Sequence, residues 1–365
     1  MKTERRRWRL KLSALFAILA LIAAACGDGA ADTTTTAAEE ETTTTPAAGE
    51  ETTTTASEPE LESTTLRVGF SGQPDFTQIM NFVWVDGLRD DYGMDAEPIL
   101  FEGTSPPCRA LVAGEVDMVV GQVPPGILLR AETGADVVMI AGDVQQSDYL
   151  LVSTPDVTTL EDLYGKQIGT AGPGAVSTSL SVAALSREGI DVDQIEFVEI
   201  GGTSARMAAL LAGQTAAGAA HFAEGFNAVE EGLNPLYVIA DGVGAYLFHG
   251  VWASREWVEA NPNLVQLAID RFIESVRWAA TNKDDYIAAA ADVTEGLSDD
   301  AKSRAYDEFI RIGLFAVNGG LEDELLQATI EIEQEVENLP ADVEDPANWV
   351  IKDFVESYLE RFGEQ

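Results

Sequence analysis

The sequence predicts an α/β protein built as two similar lobes, and three observations carry that expectation. First, the chain contains an internal duplication: Gly103–Gly121 reads GTSPPCRALVAGEVDMVVG, and from Gly202, ninety-nine residues on, it reads GTSARMAALLAGQTAAGAA. The pairs Gly103/Gly202, Thr104/Thr203, Ser105/Ser204, Ala110/Ala209, Leu111/Leu210, Ala113/Ala212 and Gly114/Gly213 coincide without a gap. Second, each copy follows a short apolar run, Pro98–Phe101 in one and Phe197–Ile200 in the other. Third, Val68–Gly72 (VGFSG) is echoed by Ile168–Gly172 (IGTAG), one hundred residues later. These patterns read as strand, Gly-rich turn, helix, strand, Gly-Thr-Ser turn, helix and strand, once per lobe. Two such lobes leave a crevice lined by strand carboxyl ends and helix N-termini.

A chain of 365 residues exceeds one comfortable core and suits two lobes. Its formal charge is −40, from 22 basic and 62 acidic residues. Six basic residues and one acid precede Cys26, so the rest carries 16 basic against 61 acidic residues. Such a surface repels nucleic acid and anionic lipid headgroups, and no nucleic-acid partner is expected. Of the two cysteines, Cys26 is accounted for by the lipidation signal described below and leaves Cys108 alone, so an internal disulfide is not expected.

Taken in order, Met1–Lys11 is basic and Leu12–Ala25 is apolar but for Ser13. Fourteen residues are too few to span a bilayer comfortably, and the flanks are those of a secretory signal over residues 1–25. The run ends Ala23-Ala-Ala-Cys26-Gly27, which resembles a bacterial lipobox whose cysteine is lipidated; Ala23 stands where such signals usually have Leu. Residues 26–65 read as a tether, with TTTT blocks at Thr33–Thr36, Thr42–Thr45 and Thr52–Thr55. Without apolar periodicity nothing offsets the entropy of ordering it, and its end-to-end distance is roughly 30–40 Å.

The folded part is expected from Leu66. Leu66–Phe70 reads as a strand, and Asp75–Leu88 as a helix with Phe76, Ile79, Met80, Val83 and Trp84 on one face. Met118–Val120, Val137–Ile140 and Tyr149–Val152 read as strands, the last taken as the first crossing between lobes, and Ile127–Glu132 as a helix. Thr158 or Thr159 is expected to cap a short helix over Leu160–Tyr164. Ala175–Glu188 and Ser204–Ala212 read as the helices of the second lobe, and Tyr237–Ala240 and Ala245–Phe248 as leading back across, the latter as the crossing segment. The domain expectation is therefore 66–152 with 245–365 for lobe 1 and 153–244 for lobe 2. Beyond Arg255 the pattern is helical: Asn263–Asn282, Lys283–Ala291, Asp299–Gly313, Glu322–Asn338 and Asp353–Phe362. The aromatics of that tail are expected to pack mainly on lobe 1.

Val68-Gly-Phe70, Ala110–Asp117 (ALVAGEVD), Leu160–Lys166 (LEDLYGK), Gly172-Pro-Gly174 and Ala209–Gln214 (ALLAGQ), in this order and spacing, give residues 66 to about 285 a family likeness. The chain resembles the solute-binding proteins of bacterial ABC importers, in the group serving nitrate, sulfonates, taurine and thiamine-pyrimidine precursors. That resemblance implies a two-lobed periplasmic-binding-protein-like fold of type II. It also implies a monomer that hands a small molecule to a permease and, through it, to an ATPase.

Position by position, the resemblance points to the turn Ser71, Gly72, Gln73, Asp75 and Phe76, where glycine admits a ligand and the next helix offers free N–H groups. An ordinary strand-to-helix turn is the other reading. Gly174, Ala175, Val176, Ser177 and Thr178 open a helix of the second lobe, whose N–H groups and hydroxyls suit an anion or a carbonyl oxygen. GxGxxS is not the dinucleotide fingerprint. Gln122 offers an amide at a strand end. His221, Phe222 and Glu224 stand where the family often has a D-x-P or aromatic segment; Ala216 replaces the usual Asp, and no Pro follows His221. His221 is either a solute-facing imidazole that supports little of either core or a histidine without a role. Phe76 and Phe222 are expected to sandwich a flat ring. HxxE alone is too little for zinc, and no cofactor is expected.

Cys108 is either a small buried residue or a thiol with a lowered pKa in the first helical turn. Arg109 and Arg206 either meet an anionic ligand or pair with surface acids. The expected function is capture of an anionic, amphoteric or heterocyclic metabolite, without catalysis. The alternatives are an enzyme on the same fold, of the pyrimidine-forming or menaquinone-pathway type, and a ligand-sensing lipoprotein without a transporter.

Overall fold

Ten short runs of mostly apolar residues become strands: β1 (Thr65–Ser71), β2 (Asp95–Phe101), β3 (Met118–Gln122), β4 (Val137–Val144), β5 (Tyr149–Ser153), β6 (Gln167–Thr170), β7 (Glu196–Glu199), β8 (Ala217–His221), β9 (Asn234–Val238) and β10 (His249–Ser254). They form two sheets, ordered β2-β1-β3-β10-β4 and β7-β6-β8-β5-β9. The computed structural model of the chain describes residues 60–71, 75–101 and 105–365. The expected signal, the Cys26 lipobox and the Thr-rich blocks lie outside the described residues, as do Gly72, Gln73, Gly103 and Thr104.

The duplication has a structural counterpart. In each sheet the first strand pairs in parallel with the second and the third, and a strand from elsewhere in the chain runs antiparallel beside the third. The helices of the two copies, α2 (Ser105–Val112) and α5 (Thr203–Leu211), end at the shared glycines Gly114 and Gly213, with φ of +70° and +69°. Only that left-handed conformation lets the chain turn straight back into the next strand, and it favours glycine.

The intruding antiparallel strands are β10 in the first sheet and β5 in the second. β5 therefore belongs to the second sheet, and the first crossing runs through Gln145–Asp148 rather than Tyr149–Val152. β10, read as neither strand nor crossing in the sequence, sits between β3 and β4 in the first sheet. It is buried on both faces, so its residues HGVWAS lack the alternation that marks a half-exposed strand.

The remaining helices of the first lobe are α1 (Ile79–Tyr92), preceded by a 3₁₀ turn at Phe76–Gln78, and α3 (Val123–Thr133). Those of the second are α4 (Val176–Arg187), α6 (Phe222–Glu230) and α7 (Ile239–Val243). Leu160–Tyr164 contains a 3₁₀ turn, Glu161–Leu163, capped in the opposite sense to the expected one: the Asp162 carboxylate accepts the N–H groups of Thr158 (2.9 Å) and Thr159 (3.0 Å). After β10 come α8 (Arg255–Ala260), α9 (Pro262–Thr281), α10 (Lys283–Ala289), α11 (Asp299–Ile312), α12 (Asp323–Glu335) and α13 (Asp353–Phe362). The fold begins just before Leu66, because Glu62 accepts the Leu264 and Asn263 N–H groups at the start of α9, where a carboxylate is favoured.

The tail serves both lobes. Helix α9 packs on α1, and α13 packs on α9 and β4, which meets the expectation for lobe 1. Trp349 stacks on Trp252 of β10, with ring centroids 5.6 Å apart. Helix α11, however, lies along α6, and α12 against α4, both in the second lobe. Buried Glu333 of α12 accepts hydrogen bonds from Ser179 of α4 (3.0 Å), Tyr246 (2.5 Å) and Asn338 (2.5 Å). Both sheets and this tail belong to one compact unit.

Candidate functional site

Four polar side chains meet where the crossing segment joins the two sheets. Asp148 ends the first crossing and is fully buried. His221 ends β8, opposite Tyr149 in the register, and places Nδ1 2.8 Å from Asp148 Oδ2 and 2.9 Å from Oδ1. Thr77 donates its hydroxyl to the same carboxylate. Asp75, from the first lobe, brings Oδ2 to 3.8 Å from His221 Nε2. Glu224 follows one turn along α6, and its Oε2 is enclosed with no hydrogen-bond partner among the described residues. Tyr149 lies on the imidazole (4.7 Å between centroids).

The electrostatics follow from this placement. Burial disfavours the charged ring of His221, but the carboxylates of Asp148 and Asp75 outweigh it and raise its pKa to about 9. Burial would raise Asp148 as well, yet the imidazolium and the hydrogen bonds from His221 and Thr77 hold it below the usual range. Asp75 rises to about 6 and Glu224 to about 7, mainly through burial.

Behind this group lies a second polar set. Asn81 Nδ2 donates to Asp143 Oδ2 at 2.8 Å, while His249 Nδ1 stands 3.9 Å from Asp143 Oδ1. Burial lifts Asp143 to about 7 and lowers His249 to about 4, so His249 is neutral near pH 7.

The residues expected from sequence divide into three groups. Asp75, His221 and Glu224 are brought together, Gln122 ends β3 opposite His249, and buried Ser71 ends β1 beside Gly121. The turn Gly174–Thr178 satisfies much of itself: Ser177 Oγ accepts Ala171 N–H (3.2 Å), and Thr178 donates to the Gly172 carbonyl (2.6 Å). Ala175 precedes the helix and buried Val176 begins it, while Gly174 adopts φ +74°. The N–H groups expected to be free after Ser71 are also engaged, since the Asp75 carboxylate accepts those of Thr77 (2.9 Å) and Gln78 (3.1 Å). Phe76 and Phe222 do not flank an open slot. Both are buried, and Phe309 of α11 lies against each, 5.7 and 6.0 Å away.

The two arginines differ in their surroundings. Arg206 is buried and donates to the Ala219 and Gly201 carbonyls and the Thr203 hydroxyl. Arg109 is exposed. Cys108 is buried and its thiol is pushed up to about 11 by that burial, which overturns a lowered pKa.

Sequence reasoning missed Asp148, Thr77, Asn81, Asp143 and His249. The available signal was Gln145-Gln-Ser-Asp148, a polar break between two apolar strands in a segment that has to be buried between lobes.

Among the described residues no His/Cys/Asp/Glu group is arranged to hold a metal ion, and no helix is long and apolar enough to cross a membrane. The Xanthomonas axonopodis pv. citri alkanesulfonate-binding protein SsuA, solved bound to MOPS, is 20% identical, with a TM-score of 0.63 over 81% of this chain and 100% of that one. The desulfurization enzyme DSZB is 17% identical, with a TM-score of 0.59 over 81% of this chain and 99% of that one. These likenesses establish the two-lobed fold of periplasmic binding proteins, which an enzyme shares. A Brucella abortus protein provisionally named a binding protein is 26% identical over 139 residues, spanning 38% of this chain and 42% of that relative. A family profile described as NMT1/THI5 like matches residues 90–285, more than half of the sequence. The chain belongs to the NMT1/THI5-like family.

Proposed function

We propose that this protein is the extracytoplasmic solute-binding component of an ABC importer, anchored by a lipid on Cys26 and working as a monomer. It captures a small molecule between its lobes and presents it to a permease. The observation that carries this reading is the Asp75–His221–Asp148 arrangement, which gathers side chains of both sheets and of their crossing at one buried point. Differential affinity of a solute for the closed form is enough to drive such a hinge, and no reaction is required.

Small-angle scattering of the full chain tests the closing step: the radius of gyration should fall when solute saturates the crevice. Labelled fatty acid should attach to the wild type and not to Cys26→Ser. The enzyme reading is kept because DSZB shares the fold. Its test is turnover: a crevice ligand recovered chemically altered after incubation would favour it over transport.

A further inference from the structure

The polar centre holds more acid than base. Asp75, Asp148 and Glu224 surround one imidazolium, and the bonds of Arg206 go to its own lobe. Three carboxylates against one cation leave the crevice negative, where an oxoanion meets repulsion in a poorly screened interior.

A second observation points to what would balance that charge. Glu224 Oε2, Asp143 Oδ1, Asn81 Oδ1 and His249 Nδ1 are enclosed without hydrogen-bond partners among the described residues. Asn81 and Asp143 are fully buried, and His249 is 3% exposed. Unpaired buried acceptors are costly, so three oxygens lacking donors mark places where a donor is wanted. The two sets adjoin along one helical segment, where Thr77, bonded to Asp148, and Asn81, bonded to Asp143, stand four residues apart.

We propose that the crevice takes a solute with a positively charged nitrogen bearing N–H groups, a primary ammonium or an amidinium, with Glu224 and Asp143 as acceptors. This rests on the solute-binding reading and departs from the alkanesulfonate named for the Xanthomonas structure. Sulfonate and nitrate are disfavoured because, among the described residues, no uncommitted cation stands in the polar centre. The His221 imidazolium offsets one carboxylate charge, held closest by Asp148, and a net negative charge remains beside Asp75 and Glu224 for the ligand.

The test is calorimetric titration of the full chain with benzamidine and benzylamine as cationic probes and with methanesulfonate and nitrate as anionic ones. It is done at neutral pH and repeated in high salt, which screens adhesion to the acidic surface far more than a buried contact. The expected result is saturable binding of a cationic probe that survives salt, weakened about tenfold or more in Glu224→Gln. Binding of an anionic probe with no response to the cations overturns this inference and leaves the solute-binding reading standing. Cation binding that vanishes in salt, or that Glu224→Gln leaves unchanged, also overturns it. If neither class binds, this inference falls, and the solute-binding reading is decided by its own scattering test.

Discussion

Gln122 and His221 occupy the same place in the two lobes, ninety-nine residues apart. Each ends the third strand of its copy and begins a helix, with φ/ψ of −57°/142° and −59°/150°. Gln122 lies opposite His249 in the register and His221 opposite Tyr149. One structural position thus carries an uncharged amide in one lobe and a charged imidazole in the other. The charge sits beside Asp148, which makes the pair a part of the fold as well as of the crevice.

His221→Ala should therefore destabilise the protein, contrary to the expectation for a residue that merely faces a solute. The change leaves the Asp148 carboxylate buried with only Thr77. Breaking a buried pair in this way costs about 3–5 kcal/mol. Urea unfolding measures it, and adding Asp148→Asn should recover much of the loss by removing the orphaned charge. A midpoint unmoved in His221→Ala would show that the pair contributes nothing to stability.

Stability should fall as pH rises from 6 to 9. His221, at about 9 in the folded protein against an ordinary 6.5, contributes stabilisation that is complete below pH 6.5 and lost as pH passes 9. Glu224 and Asp143, raised to about 7, act in the same direction at lower pH, their contribution being lost as pH climbs through 7. Asp148, held below the usual range, acts oppositely, and its share disappears in acid. The loss assigned to His221 is roughly 2–4 kcal/mol. Chemical denaturation across pH should show a flatter profile above pH 7 in His221→Asn than in the wild type.

Glu333→Ala should loosen the tail from the second lobe. Three donors, Ser179, Tyr246 and Asn338, lose their acceptor in a buried place. Leaving such groups unpaired costs about 1–3 kcal/mol each before relaxation. Hydrogen exchange should then quicken in α4 and α12 more than in β1–β3; uniform exchange would argue against a local latch.

Gly126→Ala tests the first core. A Cβ there would stand 2.5 Å from the Trp252 indole, which is buried and stacked on Trp349. The rigid ring cannot swing away, so overpacking of about 1–3 kcal/mol or more is expected as a lower melting temperature. Gly87→Ala, where nothing lies within 4 Å of the added carbon, is the control and should hold or raise it.

The sequence alone determined the two-lobed plan, because Gly114 and Gly213 mark the same left-handed turn after the same helix. It also determined the tail helices to within a few residues, since Ser298, Gly313 and the apolar spacing between them are local signals. It brought His221 and Glu224 to a strand end and the next helical turn for the same reason. Only the tertiary structure decided what those residues face. Asp148 reaches His221 across 73 positions, and Asn81 reaches Asp143 across 62. Phe309 fills the space between Phe76 and Phe222. Periodicity and capping report on neighbours within a few residues, whereas a buried charge is defined by whatever the fold carries to it from far along the chain.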